Sequence, residues 1–281
     1  MADRLLDLDP SSLRDWLAAV GLLRLVSETS EKGCLCWRLD NGRYRLVIEA
    51  LAEDAAEVWS GWIAGQRQAW RFAGKQNVDF DAAYWREQVG VSEGLETALW
   101  CALASDGVWH RDGKKLKASG LEYAHGGGHQ HWLASLRDFL AGDATTSAQL
   151  ARVIANDLEK PMDGPICRWD PACERDHALR AKAPSKDPMM QDQTINALAA
   201  IGLASCPSAP GSRGLITPLV RERGRIVWPL WTDRLRIADL EAALCCGWTW
   251  PTMQSRRWLS GKLYCFSRGE LREPEAYQDI A

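Results

Sequence analysis

The sequence predicts an α+β protein, mainly helical with two β-hairpins, in which pseudo-duplicated helix-hairpin-helix units stand at the two ends of the chain. Three observations carry this. The hexapeptide Leu17-Ala-Ala-Val-Gly-Leu22 returns as Leu198-Ala-Ala-Ile-Gly-Leu203, with five of six residues identical and the sixth a Val/Ile exchange. Each copy precedes two strand-like runs, 34–39 and 44–48 after the first and 215–220 and 226–231 after the second, around a turn glycine that stands 25 residues after the first leucine in one copy (17 to 42) and 26 in the other (198 to 224). Each hairpin pattern then leads into a helical one, beginning near Leu51 and near Ile237.

Taken in order, Pro10-Ser11-Ser12 is a helix start, with a hydroxyl cap and Asp15 in the first turn where it complements the helix dipole. Leu13, Trp16, Leu17, Val20 and Leu23 recur at helical spacing and predict a buried face. Gly21 inside that helix is unfavourable unless another backbone packs closely there, and Gly202 predicts the same close packing a second time. Asn41-Gly42 between 34–39 and 44–48 is a strong hairpin signal. Helical patterns follow over 51–69, 81–88 and 92–104, with a break at 71–80. Residues 121–124 read as a short strand, an amphipathic helix begins at Trp132, and another spans 145–158, capped by Thr145 or Thr146. The stretch 159–191 is charged and holds Pro161, Pro165, Pro171, Pro184 and Pro188, which marks a linker or surface excursion. The expected organisation is therefore an N-terminal α+β domain over 1–158, that excursion, and a C-terminal helix-hairpin-helix domain over 192–281, frayed from Leu271 onward.

Composition bounds the function. The 281 residues are 46% apolar and 25% charged, as in an ordinary globular chain. No run reaches the ~18 apolar residues that span a bilayer, and the acidic N-terminus lacks the apolar core of a signal peptide. A cytoplasmic protein without membrane association is expected. Nine cysteines with no secretion signal then predict free thiols, mostly buried. The net charge of −3 divides unevenly: residues 1–100 carry 16 acids and 11 bases, residues 101–281 carry 21 acids and 23 bases. A nucleic-acid binder of this composition needs a local basic patch.

Fifteen tryptophans are far above ordinary usage. Trp16, Trp59, Trp62, Trp100 and Trp132 fall on apolar helix faces. Trp248, Trp250 and Trp258 share a segment with Arg256 and Arg257, where aromatics beside arginines can stack bases or simply form a satellite cluster.

The chemistry-bearing stretches are basic and amide-rich loops. They are Lys75-Gln76-Asn77, the run Arg111-Asp-Gly-Lys114-Lys115-Leu-Lys117, and Gly127-Gly128-His129-Gln130 opening a helix. The hairpin arginines Arg221, Arg223 and Arg225 and the pair Arg256-Arg257 complete the set. A glycine-rich loop at a helix start exposes unpaired N–H groups to phosphate, although a basic run is more often a solvated loop. His125, His129 and His131 lie within seven residues and open a metal-dependent nuclease or hydrolase as an alternative, but their spacing departs from that of structural zinc sites. Cys167, Cys173 and His177 are similarly loose, with Pro171 pointing to a plain turn. There is no nucleophile elbow, His-Glu-x-x-His or phosphate-binding Gly-x4-Gly-Lys loop, so neither catalytic residues nor a cofactor are expected. A protein-only adaptor is a further alternative.

The helix Leu17-Ala-Ala-Val-Gly-Leu-Leu-Arg-Leu25, the Gly-Lys-Gln loop at 74–76, the Gly-Gly-Gly-His-Gln loop at 126–130, and Asn196-Ala-Leu-Ala-Ala-Ile-Gly-Leu203 leading to Trp228-Pro-Leu-Trp231 resemble the divergent CRISPR-associated large-subunit-like proteins of type I-U (I-G) systems. The resemblance implies a non-catalytic subunit of an RNA-guided surveillance complex in antiviral defence. Its partners would be guide RNA, target DNA and other CRISPR-associated subunits, with the 74–76 and 126–130 loops as nucleic-acid contacts.

Overall fold

The computed structural model describes residues 2–68, 80–110, 113–123, 132–140, 142–158, 160–173, 190–212, 214–221, 224–260 and 263–273. The fold is α+β, with eight α-helices and several small antiparallel sheets among these residues.

Its centre is a pair of helices, α1 (Leu13–Thr29) and α7 (Gln193–Leu203). They carry the two copies of the repeated hexapeptide, and they pack on each other. A methyl group added at Gly21 would overlap the Leu198 carbonyl oxygen and stand 2.9 Å from its carbonyl carbon. One added at Gly202 would overlap the Leu17 oxygen and stand 2.9 Å from the Gly21 nitrogen. The contact is reciprocal, which is why both helices accept the cost of an internal glycine. The helices point the same way. Asp170 meets Arg14 (2.8 Å) near the start of α1 and Gln191 (3.1 Å) just before α7, while Arg24 in the C-terminal half of α1 reaches Ser205 (2.8 Å) just past the end of α7. Caps set both starts: Ser12 accepts from the Asp15 amide, and Asp192 accepts from Thr194 and Ile195.

The first unit follows expectation in outline. Helix α1 leads into β2 (Cys34–Asp40) and β3 (Arg43–Leu51), then α2 (Ala55–Gln68). Leu51 closes the strand rather than opening the helix, because β1 (Ala2–Leu6) pairs along β3 as far as an Ala2–Leu51 partnership. Asn41 and Gly42 both take positive φ, as a tight turn between strands requires.

The middle holds α3 (Ala82–Val91, capped by Asp81), α4 (Gly94–Leu103), the pair β4 (Ala104–Trp109) and β5 (Leu116–Ala118), then α5 (Trp132–Phe139) and α6 (Ser147–Ile154). Thr146 caps α6, after a 3-10 turn over Gly142–Thr145. Residues 121–123 form no strand, although Tyr264 donates its amide to the Tyr123 carbonyl.

The second unit departs further. Helix α7 does precede a hairpin, but of β6 (Ala209–Gly211) and β7 (Gly214–Ile216). The expected strand over 215–220 is broken at Pro218, which has no N–H to donate to a ladder. Residues 219–221 resume as a short partner of β8 (Arg225–Pro229), with Val227 N–H on Leu219 O and Arg221 N–H on Arg225 O, both at 2.8 Å. Helix α8 (Ile237–Cys246) follows. The last sheet sets β9 (Thr252–Ser260) beside β8 on one edge and β10 (Leu263–Phe266) with β11 (Glu270–Arg272) on the other. Leu271, expected to be frayed, is thus in a strand.

Tryptophans stitch the two ends together. The indole N–H of Trp16 reaches the Pro229 carbonyl (2.7 Å), that of Trp231 reaches Leu35 (3.1 Å), and that of Trp228 reaches Pro10 (3.0 Å). Trp231 also sits edge-on to both Trp16 and Trp37. A backbone bond from Trp37 N–H to Trp231 O and a Leu35–Leu235 bridge extend the first sheet with chain from the far end. The indoles of Trp16, Trp228 and Trp231 each bury a large apolar area while their single donor is satisfied.

All nine cysteines are free thiols. Burial lifts the Cys173 thiol to about 12 and raises Cys167 and Cys206 as well. A thiol-specific disulfide reagent is therefore expected to modify the exposed Cys245 and Cys246 first. Cys167, Cys173 and Cys206 should stay unmodified until the protein unfolds, and mass mapping that finds any of them labelled early overturns this burial.

Candidate nucleic-acid interface

Of the predicted contact residues, Lys114, Lys115, Lys117, Arg221, Arg225, Arg256 and Arg257 lie among the described residues. Lys75, Gln76, Asn77, Arg111, Gly127, Gly128, His129, Gln130 and Arg223 fall outside them, as do His125, His131 and His177 of the metal alternatives.

The described basic residues come from three distant stretches, and the last sheet brings most of them together. Pairing of β8 with β9 sets Arg225 directly opposite Arg256. The 219–221 segment sets Arg221 opposite Arg225. Side chains opposite one another in an antiparallel ladder share a face, so Arg221, Arg225 and Arg256 form a row across three adjacent segments. The burial pattern agrees: Arg225 and Arg256 are exposed, while Ile226 and Ser255, next along the two strands, are buried. Among the described residues neither Arg225 nor Arg256 has an ion-pair partner. Arg221 is half-buried, donates to the Pro218 carbonyl (2.7 Å) and lies over the Trp248 ring, 5.5 Å from its centre. Burial, reinforced by the charge of Arg225, pushes the Arg221 guanidinium pKa below its ordinary value.

Arg257 points to the other face. Its guanidinium donates to the Glu122 carboxylate (2.6 Å) and carbonyl (2.9 Å) and stacks 3.5 Å over the Tyr264 ring. Glu122 in turn accepts the Gly120 amide (2.7 Å). Gly120 has positive φ, and a methyl group there would stand 3.2 Å from Val220 and 3.6 Å from Arg257. This brace fastens the chain just after β5 to the sheet that carries the arginine row. Thr217, bonded to the Ser119 carbonyl at 2.8 Å, makes a second link.

Lys117 is exposed on β5, and its ammonium passes beside Gly214, 3.8 Å from where a methyl group would be. Lys114 and Lys115 lie at the turn of the β4–β5 hairpin, where the Lys115 carbonyl accepts the His110 amide (2.7 Å). Trp109, 44% exposed, stands opposite Leu116 in the same hairpin. The sequence reading missed Glu122 and Tyr264, which hold the site together. A lone acid and a lone tyrosine carry no spacing signal, and only the fold sets them against Arg257.

Among the described residues, no group of three or more His, Cys, Asp and Glu side chains is placed to hold a metal ion. Cys173 spends its S–H on the Cys167 carbonyl (3.2 Å), beside the short 3-10 turn that Pro171 opens. Nor is any helix among the described residues long and apolar enough to cross a membrane. No protein-family model, no curated protein and no solved structure matches this chain.

Proposed function

We propose that the protein is a non-catalytic, cytoplasmic subunit of an RNA-guided CRISPR surveillance complex. It would hold guide RNA or target DNA alongside other CRISPR-associated subunits, as the resemblance to the type I-U large-subunit-like proteins implies. The observation that supports this reading best is the row of Arg221, Arg225 and Arg256 on one outer sheet face, with a lysine-bearing hairpin fastened to the same sheet through Glu122 and Thr217. Cations on strands and loops of a rigid scaffold suit contact with a phosphate backbone, which is independent of base sequence. In such a complex, base pairing reads most of the sequence and the protein reads backbone shape. The reciprocal packing of Gly21 and Gly202 also supports descent of the two ends from one duplicated helix-hairpin-helix unit.

The test is binding of labelled single-stranded RNA, single-stranded DNA and duplex DNA at low and moderate salt. Salt-sensitive binding is expected. Removing the charges of Lys114 and Lys115 together should weaken it alike for unrelated sequences and lower the log–log salt slope by about 1.4 on single strands, two contacts at ~0.7 each. Absence of binding to all three, both free and with co-expressed subunits, overturns the assignment.

A further inference from the structure

The arginine row has a feature that stability alone does not account for. Like charges directly opposite in a ladder destabilise it, yet Arg221, Arg225 and Arg256 occupy consecutive cross-strand positions. The next position in the row is Ser267, whose amide donates to the Arg256 carbonyl and whose hydroxyl accepts the Arg256 amide. No carboxylate interrupts the line among the described residues. The nearest acid on this edge, Glu270, pairs one row along with Gln254 and is engaged by Arg272 at 2.7 Å. Neighbouring strands stand ~4.8 Å apart, so the row spans roughly 10 Å, enough for two successive phosphates of an extended strand.

The same face carries an aromatic. Trp258 lies two residues beyond Arg256 along β9, hence on the same side of the sheet, and is half-buried. Trp248 is already covered by Arg221, 5.5 Å over its ring, and Trp250 packs against the core and spends its N–H on Asp233 at 2.6 Å. A cationic row with one available indole beside it is the combination by which sheets hold unpaired strands, since a base can stack only when it is free of a partner.

We propose that this face, Arg225 and Arg256 with Trp258, is a seat for single-stranded nucleic acid: the two guanidinium groups hold adjacent phosphates and the indole stacks the base between them. The proposal rests on the nucleic-acid reading above and narrows it to unpaired strand at a named place.

The experiment uses the full chain and labelled 12-nucleotide strands of DNA and RNA, a DNA duplex of that length, and an abasic DNA strand. Arg225→Gln with Arg256→Gln should lower the salt slope on single strands by about 1.4, with an unchanged circular dichroism spectrum because both side chains are exposed. Trp258→Ala should weaken binding to ordinary single strands about tenfold and leave binding to the abasic strand unchanged, with Trp258→Tyr restoring most of the loss. The DNA and RNA arms then show which strand is preferred. Single-strand binding that neither the double arginine variant nor Trp258→Ala alters overturns the seat and leaves the wider reading standing. Duplex bound as tightly as single strand, with Trp258→Ala indifferent, also overturns it. Failure of the free chain to bind any of the four overturns the seat, and the wider reading falls with it when binding is absent with co-expressed subunits as well.

Discussion

Alanine at Gly21 or Gly202 is expected to destabilise the protein by about 3 kcal/mol, at the upper end of what overpacking usually costs. Considered as helices alone, α1 and α7 predict the opposite sign, because glycine to alanine in a helix interior gains ~1 kcal/mol. The difference lies in what faces each glycine. The added methyl group meets the partner helix's backbone, the Leu198 or Leu17 carbonyl, and not the movable end of a side chain. Backbone in the middle of a packed helix cannot yield by a rotamer change, so the two helices must separate. Along the seam they would loosen contacts of Leu17, Val20, Leu198 and Ile201, all fully buried. Urea denaturation of the two single variants and the double variant measures this. Because both methyl groups strain the same crossing, the double variant should lose less than the sum of the singles. A raised unfolding midpoint in either single variant would show that the two backbones do not meet there.

Loss of the Glu122 carboxylate is expected to cost 3–5 kcal/mol, the range for stripping a buried charge of its partner. Glu122 is 2% exposed and the Arg257 side chain 12%. In Glu122→Ala the guanidinium keeps the Glu122 carbonyl and the Tyr264 ring but loses its counter-charge, and the Gly120 amide loses its acceptor. Replacing the whole pair, as Glu122→Gln with Arg257→Met, should recover much of that loss, since an apolar side chain of similar length carries no charge to bury. Denaturation of the single and paired variants forms the cycle. A Glu122→Ala midpoint within error of the parent would mean that water already compensates Arg257. The brace also predicts a functional effect: Glu122→Ala should loosen the Lys117 hairpin against the sheet and weaken nucleic-acid binding, although Glu122 bears the wrong charge to touch a phosphate.

Much of the architecture was legible in the residues because it is written in local chemistry. Ser12 before a helical apolar pattern and Asn41-Gly42 between alternating runs each act through neighbours in sequence. The hexapeptide repeat and its unfavourable internal glycines announced a close backbone contact at each helix. That the contact partner of each glycine is the other glycine's helix was decided by tertiary packing, since nothing within either copy encodes its mate. Other strands carry little local signal: β1 pairs with β3 and β9 with β8, each far along the chain, while β5, β10 and β11 are only three or four residues long. Their stability comes from pairing and not from propensity. At Pro218 a missing N–H divides the second expected hairpin in two.

The candidate site divides the same way. Which residues are cationic, and that they cluster in short stretches, is a property of the sequence by itself. That Arg225 faces Arg256 and Arg221 across a ladder, while Arg257, one residue on, turns inward to Glu122, follows from strand register. A shift of one residue would exchange those roles. Charge and composition are local and additive, so the chain declares them directly. Facing, pairing and burial are relations between distant residues, and they exist only once the sheets have formed around α1 and α7.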